Sequence, residues 1–414
     1  MINREILKTD QAQKLFNELY GNSTVVSRYD ALIAQVQRYG TDIRLFSAPG
    51  RTELGGNHTD HNGGKVLAAS VHIDNGAAVV RTTEPTVRFF STGYPDVTVD
   101  ICDRAPRPSE KGTTEALIRG IAAGFSERGR AIGGWVACAD SRVPGGSGLS
   151  SSAAVEVLIG RIFDNLYDTG SMSAVELAQI GQKAENDYFA KPSGLMDQIA
   201  CAVGGIVAID FKNPLYPLVE SIAFDMPPEL TLCVLDTHTN HADLTDYYAS
   251  IPLEMHNVAR FFAQESLREA EHDFCITAEL RKSVGDRAVL RALHFFNENK
   301  RVDSMKEAIK QHSIDKFLDL VNESGDSSWE LLQNCAVQND GRDQGICLAL
   351  GLTKKFLQKT GACRVHGGGF AGTIQCYIPT ERFCAYKDSM EQLFGTGSVT
   401  KLILRKTGVC EIVF

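Results

Sequence analysis

The run Gly145-Gly146-Ser147-Gly148-Leu149-Ser150-Ser151-Ser152 gathers residues suited to binding an anion. Glycines let successive backbone N–H groups turn one way, and a helix that begins just after them adds partial positive charge. Together these features cradle phosphate. The serine hydroxyls add hydrogen bonds or an oxygen ligand for Mg2+. A flexible Gly/Ser linker is the bland alternative, but a linker is not bracketed by periodic apolar segments. Here strand-like Gly134-Trp135-Val136-Ala137-Cys138-Ala139 precedes the run, and Ala154 to Arg161 follows it with helical spacing.

A second polar cluster lies at Arg51-Thr52-Glu53-Leu54-Gly55-Gly56-Asn57-His58-Thr59-Asp60-His61-Asn62-Gly63-Gly64. Asn, His and Asp mix donors and acceptors, which is what a polyol requires, and the glycines mark a binding loop. A third, Ser193-Gly194-Leu195-Met196-Asp197-Gln198, sets one carboxylate in a loop after a helix that carries Glu185 near its end. His238 and His241, between Asp236 and Asp243, have a metal-like spacing that serves equally for solvated loop polars. Gly367-Gly368-Gly369-Phe370-Ala371-Gly372 spells a dinucleotide fingerprint. That fingerprint needs a helix behind it, and β-prone Thr373 to Ile378 follows instead, so these glycines read as a second loop able to approach a ligand. There is no Walker phosphate loop.

The elements that must position these groups can be read more coarsely. One amphipathic helix is expected over residues 10–39, and a strand from Ile43 runs into the polar loop. Residues 77–101 suit antiparallel strands, Thr113 to Arg128 a helix, and Ala174 to Tyr188 another. Residues 206–235 are strand-rich, 252–360 mostly helical, and strands return at 373–378 and 402–404. The 414 residues, 43% hydrophobic and 22% charged, suit one large or two medium domains, with a boundary expected after residue 205. A net charge of −9 gives no support for nucleic acid or an anionic membrane as partner. Eleven scattered cysteines, a charged start and no apolar run long enough for a bilayer give the expectation of a cytoplasmic enzyme with reduced thiols.

These loops, in this order, resemble those of a known family. Arg51 to Gly64 is similar to the galactokinase sugar signature Gly-Arg-Val-Asn-Leu-Ile-Gly-Glu-His-Thr-Asp-Tyr-Asn-Gly-Gly, and Ser193 to Gln198 to its Cys-Gly-Ile-Met-Asp-Gln. Pro144 to Ala154 matches the GHMP-kinase ATP loop Pro-x-Gly-x-Gly-Leu-Ser-Ser-Ser-Ala, and Val365 to Gly372 resembles that superfamily's third motif. Thr239 to Ala259 looks like the galactokinase stretch with a sugar-contacting tyrosine. The likeness runs from about Arg44 to Tyr377. It implies an α+β fold of two lobes, residues 1–205 and 206–414, with the active site between them. It also implies an ATP-dependent sugar 1-kinase, with galactose as the first candidate substrate.

The resemblance assigns roles position by position. Asp197 faces the anomeric hydroxyl as base or charge stabiliser, and Arg51 pairs with it and with the transferring phosphoryl group. Asn57, His58, Asp60, Gly194 and Tyr248 contact the sugar. Gly145, Gly146, Ser147, Gly148, Leu149, Ser150 and Ser151 wrap the ATP phosphates. Ser152 and Glu185 hold Mg2+, with Ser151 a near alternative. Phosphoryl transfer asks for this set of parts: a phosphate cradle, a metal with oxygen ligands, a cation and an oriented hydroxyl. The chain departs from the family at Thr52-Glu53-Leu54-Gly55-Gly56-Asn57, at His61 and at Ser193, and it lacks the Trp that galactokinases often carry in the helix 113–128. Asn57 in place of Glu raises a second substrate, galacturonate, because an amide tolerates a carboxylate at C6. A non-catalytic galactose and ATP sensor is a further alternative, though Ser151-Ser152-Ala153, Asp197 and Arg51 are intact. Mevalonate kinase is another, but it predicts no His-Thr-Asp loop.

Overall fold

The computed structural model describes residues 4–21, 25–146, 148–238, 244–337, 341 and 343–414. Strands β1 (Ile43–Gly55), β2 (Lys65–Arg81), β3 (Thr86–Ser91), β4 (Val97–Asp100), β5 (Trp135–Ser141), β6 (Ile206–Asp210) and β7 (Leu218–Ile222) belong to one sheet. Strands β8 (Leu230–Asp236), β9 (Ala362–Val365), β10 (Thr373–Pro379) and β11 (Val399–Leu402) form a second, while β12 (Cys410–Ile412) returns to the first. The first sheet runs β12-β1-β2-β5-β3-β4, with β6 and β7 continuing beside β2. Its pairs are antiparallel except β3 with β5. The second sheet is antiparallel throughout, in the order β11-β8-β10-β9.

Strands β5, β6, β8, β9 and β10 are buried on both faces, whereas β4 and β7 leave residues exposed. Side chains alternate across a strand, so neighbours enter different cores. Leu45, Ala78, Val80, Val136 and Cys138 pack on one face with α1 (Asp10–Tyr20) and α2 (Val26–Val36). Phe46, Ala77, Val79, Ala137 and Ala139 enter the core on the other. That core is covered by α3 (Thr114–Glu127), α4 (Ser151–Tyr167), α5 (Ala174–Ala184) and α6 (Met196–Val203). In the second sheet Cys233 and Leu235 face one core, and Leu232 and Val234 the other.

Between β8 and β9 of the second sheet lie α7 (Thr245–Phe261), α8 (Ala278–Val284), α9 (Asp286–Lys310), α10 (Ile314–Ser327) and α11 (Gly345–Leu357), with α12 (Phe383–Phe394) after β10. Local chemistry fixes the ends. A capping box of Ser173 and Glu176 starts α5, and Thr113 caps α3. The single helix expected over 10–39 is two helices, because Gly21 takes a left-handed turn (φ 71°) and closes α1 onto Asn17. Thr373–Pro379 is a strand, as the rejection of a dinucleotide fold requires. The expected boundary at residue 205 does not follow the sheets, since β6, β7 and β12 lie beyond it and pair with strands of the first. Among the described residues, no helix is long and apolar enough to cross a membrane.

Candidate active site

Strand β1 ends at the centre of the site because it passes close under the phosphate loop. A Cβ on Gly50 would lie 2.8 Å from the Leu149 carbonyl oxygen, so only glycine permits the approach. The Arg51 N–H then donates to that carbonyl at 3.0 Å, pinning the loop to the strand. The Arg51 guanidinium grips Asp197 through two parallel bonds, Nε to Oδ1 at 2.7 Å and Nη2 to Oδ2 at 2.6 Å. Such a fork fixes orientation as well as charge. Nη1 reaches the Gly148 carbonyl, and the Ser150 hydroxyl donates to Asp197 Oδ2. Asp197 sits in the first turn of α6, and its side chain is 31% exposed while Arg51 is buried, so the carboxylate faces the cleft. Burial opposes its ionisation, but the Arg51 charge and the hydrogen bonds from Arg51 and Ser150 outweigh it and hold the carboxyl below its ordinary value.

Helix α4 begins at Ser151, directly behind the glycines, and Ser150 takes the left-handed conformation (φ 60°) at the join. Gly145 and Gly146 form an exposed turn, and Leu149 is buried. A side chain on Gly148 would meet His366 Nδ1 and Thr373 Oγ1, each at 2.8 Å, so the third glycine loop packs against the first. Ser147 lies outside the described residues. Ser152 donates to Glu185 Oε1 at 2.8 Å across the groove between α4 and the π-helical turn 185–189 that follows α5. Glu185 is 2% exposed and also receives Lys191 Nζ at 3.0 Å, Ser193 Oγ at 2.5 Å and Gln198 Nε2 at 3.0 Å.

The loop after β1 brings the polyol-type residues together. The Asp60 carboxylate occupies the space a side chain at Gly194 would need, 1.8 Å from its Cβ position. A side chain there would displace the Asp60 carboxylate, and the contact joins the sugar-signature loop to the Asp197 loop. His58 places Nε2 at 2.9 Å from the Gly368 carbonyl, and Tyr248 donates to the Gly369 carbonyl at 3.0 Å. A carbonyl accepts, so His58 carries its proton on Nε2 and keeps Nδ1 as an acceptor. Burial pushes the His58 imidazole down to about 3, so it is neutral. Four of the expected sugar residues, His58, Asp60, Gly194 and Tyr248, thus converge through the Gly367-Gly368-Gly369 loop and the Asp60–Gly194 contact.

Asn57 does not join them. It is fully buried. Its Nδ2 donates to Glu53 Oε1 at 3.1 Å and to the Gly367 carbonyl at 2.7 Å, and its Oδ1 accepts from Asn334 at 2.8 Å. Both ends of the amide are thus held by protein, so a contact with the sugar at C6 would have to displace one of these bonds. The family signature explains the rearrangement: its Asn and Glu have changed places. Here Glu53 stands at the Asn position and pairs with Arg364, both buried, while Asn57 stands at the Glu position and bridges back to Glu53.

Several residues of this floor escaped the sequence reading. His366 sits between Thr52 (3.0 Å) and Thr373 (3.1 Å), kept neutral first by burial and then by Arg51 and Arg364. Glu298 accepts from the Gly56 N–H at 3.0 Å and Ser324 at 2.6 Å and pairs with Arg301. His294 bonds the Asn57 carbonyl at 2.9 Å. Glu156, buried one turn into α4, bonds Gln198 at 2.9 Å, and burial together with Glu185 pushes its carboxyl well above the ordinary range. Sequence periodicity marks such positions only as helix or strand interior. His238 pairs with Asp236 at 3.5 Å; His241 and Asp243 lie outside the described residues. Among the described residues, no three His, Cys, Asp or Glu side chains gather as a metal cage.

Comparison with known proteins agrees with this architecture. Residues 116–205 match the family model for the GHMP kinases N terminal domain, and residues 36–81 match the galactokinase galactose-binding signature. A galactokinase of Glaesserella parasuis serovar 5 is 30% identical over 351 residues, spanning 83% of this chain and 87% of the relative. A galactokinase of Mannheimia succiniciproducens is 27% identical over 380 residues, 90% of each chain. In fold, the chain is similar to Lactococcus lactis galactokinase complexed with galactose (TM-score 0.79, 24% identity, covering 94% of this chain and 100% of that one). It is also similar to Methanococcus jannaschii mevalonate kinase (TM-score 0.61, 13% identity, 87% and 98% covered). The phosphate loop, the Arg51–Asp197 fork and the sugar-signature loop therefore belong to a member of the galactokinase family of GHMP kinases, an ATP-dependent sugar kinase that transfers phosphate to a hydroxyl.

Proposed function

We propose that the chain phosphorylates galactose at its anomeric hydroxyl. The observation that carries this reading is the bidentate Arg51–Asp197 pair, tied by Ser150 to the phosphate loop and facing the cleft. His58, Asp60 and Tyr248 gather beside it, and the relatives' names and the galactose-bound neighbour in fold point to the same sugar. In this reading the sugar's C1 hydroxyl lies against Asp197. A carboxylate already held ionised is a weak proton acceptor. Asp197 therefore acts by orienting the hydroxyl and by its charge, while Arg51 meets the negative charge of the transferring phosphoryl group. The glycines at 145, 146 and 148 and the N-terminus of α4 receive the ATP phosphates.

Ser152 and Glu185 fit Mg2+. Both offer hard oxygen donors, and Mg2+ takes few protein ligands, keeping water and phosphate oxygens for the rest. A cation, the Lys191 ammonium, already sits on Glu185 Oε1 beside Ser152, so the position suits positive charge. Bound there, Mg2+ would draw negative charge from the terminal phosphates. The test is ADP release from ATP over a panel of hexoses and uronates. Galactose should give the largest kcat/KM; a different sugar giving a larger value, or none giving turnover, would overturn the reading.

A further inference from the structure

Lys191 stands where the chemistry needs a mobile positive charge. Its ammonium lies 3.0 Å from Glu185 Oε1, the same oxygen that Ser152 contacts at 2.8 Å. The carboxylate is 2% exposed, while the lysine side chain is 60% exposed, so the stem is free to swing from a fixed anchor. The anchor is built with some strain. The π-helical turn closes with Ala190 in the left-handed region (φ 67°), where an alanine is disfavoured, and the Lys191 N–H then donates to the Glu185 carbonyl at 3.1 Å. That turn brings the lysine back over the carboxylate six positions before it.

Glu185 does not need the ammonium for hydrogen bonding, since Ser152, Ser193 and Gln198 already donate to its two oxygens. The pair is open to water on the lysine side, which screens it and limits what it adds to stability. Charge gives a better account. The Lys191 ammonium sits on one oxygen of Glu185 and Gln198, the neighbour of Asp197 in sequence, donates to the other, so the lysine lies on the side of the site assigned to metal and acceptor hydroxyl. Arg51 is matched by Asp197. A highly charged triphosphate entering between α4 and the Asp197 loop would therefore meet the Lys191 ammonium.

We propose that Lys191 is a phosphate-binding residue of this kinase: it rests on Glu185 in the free protein and turns to the terminal phosphates of ATP when Mg2+ takes that carboxylate oxygen. The exchange rests on the reading of Ser152 and Glu185 as Mg2+ ligands. The phosphate contact rests on the lysine alone. The ligand class is a nucleoside triphosphate, recognised at its terminal end.

The test is equilibrium binding of ATP, ADP and AMP to the intact protein without sugar, by calorimetry, in EDTA and in Mg2+. The variants are Lys191→Met and Lys191→Arg. Losing one charge-assisted contact should weaken ATP binding in Mg2+ by about tenfold or more in Lys191→Met, with a smaller loss in EDTA, where the ammonium stays on Glu185. AMP binding should be unchanged, and Lys191→Arg should retain most of the ATP affinity. Unchanged ATP affinity in Lys191→Met, or an equal loss for AMP and ATP, would overturn the phosphate contact. Glu185→Gln in the same assay separates the two readings. If Mg2+ strengthens ATP binding equally in wild type and Glu185→Gln, the metal ligand and the exchange are wrong, whatever Lys191→Met shows.

Discussion

Arg364→Met tests the claim that the exchanged Asn and Glu positions form a working unit. Arg364 is fully buried on β9, and Glu53 is buried on β1, so their pair ties the second sheet to the catalytic strand. Methionine fills much of the space but leaves the Glu53 carboxylate with the Asn57 amide as its remaining close partner. Breaking one side of a buried pair costs about 3–5 kcal/mol. With unfolding entropy of about 2.1 cal/mol/K per residue over 414 residues, that is a fall in Tm of roughly 3–6 °C. Glu53→Leu combined with Arg364→Met removes both charges and should recover most of the loss, because neither is then stranded. The loss should also depend on pH. In the wild type, burial raises the Glu53 carboxyl above its ordinary 4.5, while Arg364 and Arg51 pull it back. Without Arg364 it rises further, so the folded protein holds a proton that the unfolded chain has released. Stability then falls as pH rises from the ordinary carboxyl value through the raised one. The deficit of Arg364→Met should be smallest near pH 4.5 and larger at neutral pH. Thermal melts by circular dichroism across pH compare the two variants with wild type. A single variant as stable as wild type, or a double variant as unstable as the single, would refute the reasoning.

Other outcomes follow from the same geometry. Gly194→Ala drives a methyl into the Asp60 carboxylate and should raise KM for sugar at least about tenfold while KM for ATP holds, read from initial rates. Glu156→Gln should be about as stable as wild type at neutral pH, because burial and the neighbouring Glu185 already disfavour the charged form of Glu156; a melt lowered by several degrees would count against this. His294 is kept neutral chiefly by burial, so the unfolded chain takes up a proton near 6.5 that the folded protein refuses, and the stability it contributes is present above that pH and lost below it. Wild type should therefore lose more Tm than His294→Asn between about pH 7.5 and about pH 5.5.

The sequence carried the parts that are local. Three glycines between a strand and a helix announce a phosphate loop, and β-prone residues after Gly372 exclude a dinucleotide fold. What it did not carry depends on contacts far apart in the chain. Asn57 looks like a ligand residue because it stands among His58, Thr59 and Asp60. Only the return of Gly367 and Asn334 from the other end of the chain turns its amide inward. Lys191 reads as an ordinary loop lysine until the π-helical turn folds it back over Glu185. The division of the sheets was hidden for the same reason: β12 is short, and its place beside β1 is set by pairing across almost the whole chain. Gly21 could have been read as a helix stop, since a left-handed glycine is a common end to a helix.

The central claim is that Asp197 and Arg51 direct the phosphoryl group of ATP to the anomeric hydroxyl of galactose. Phosphorus and proton NMR of the product formed from galactose and ATP tests it most directly, run beside Asp197→Asn. The account predicts a phosphate coupled to the C1 proton, with Asp197→Asn slower by about two or more orders of magnitude while still binding galactose. Phosphate on the primary hydroxyl, or Asp197→Asn turning over at near the wild-type rate, would contradict it.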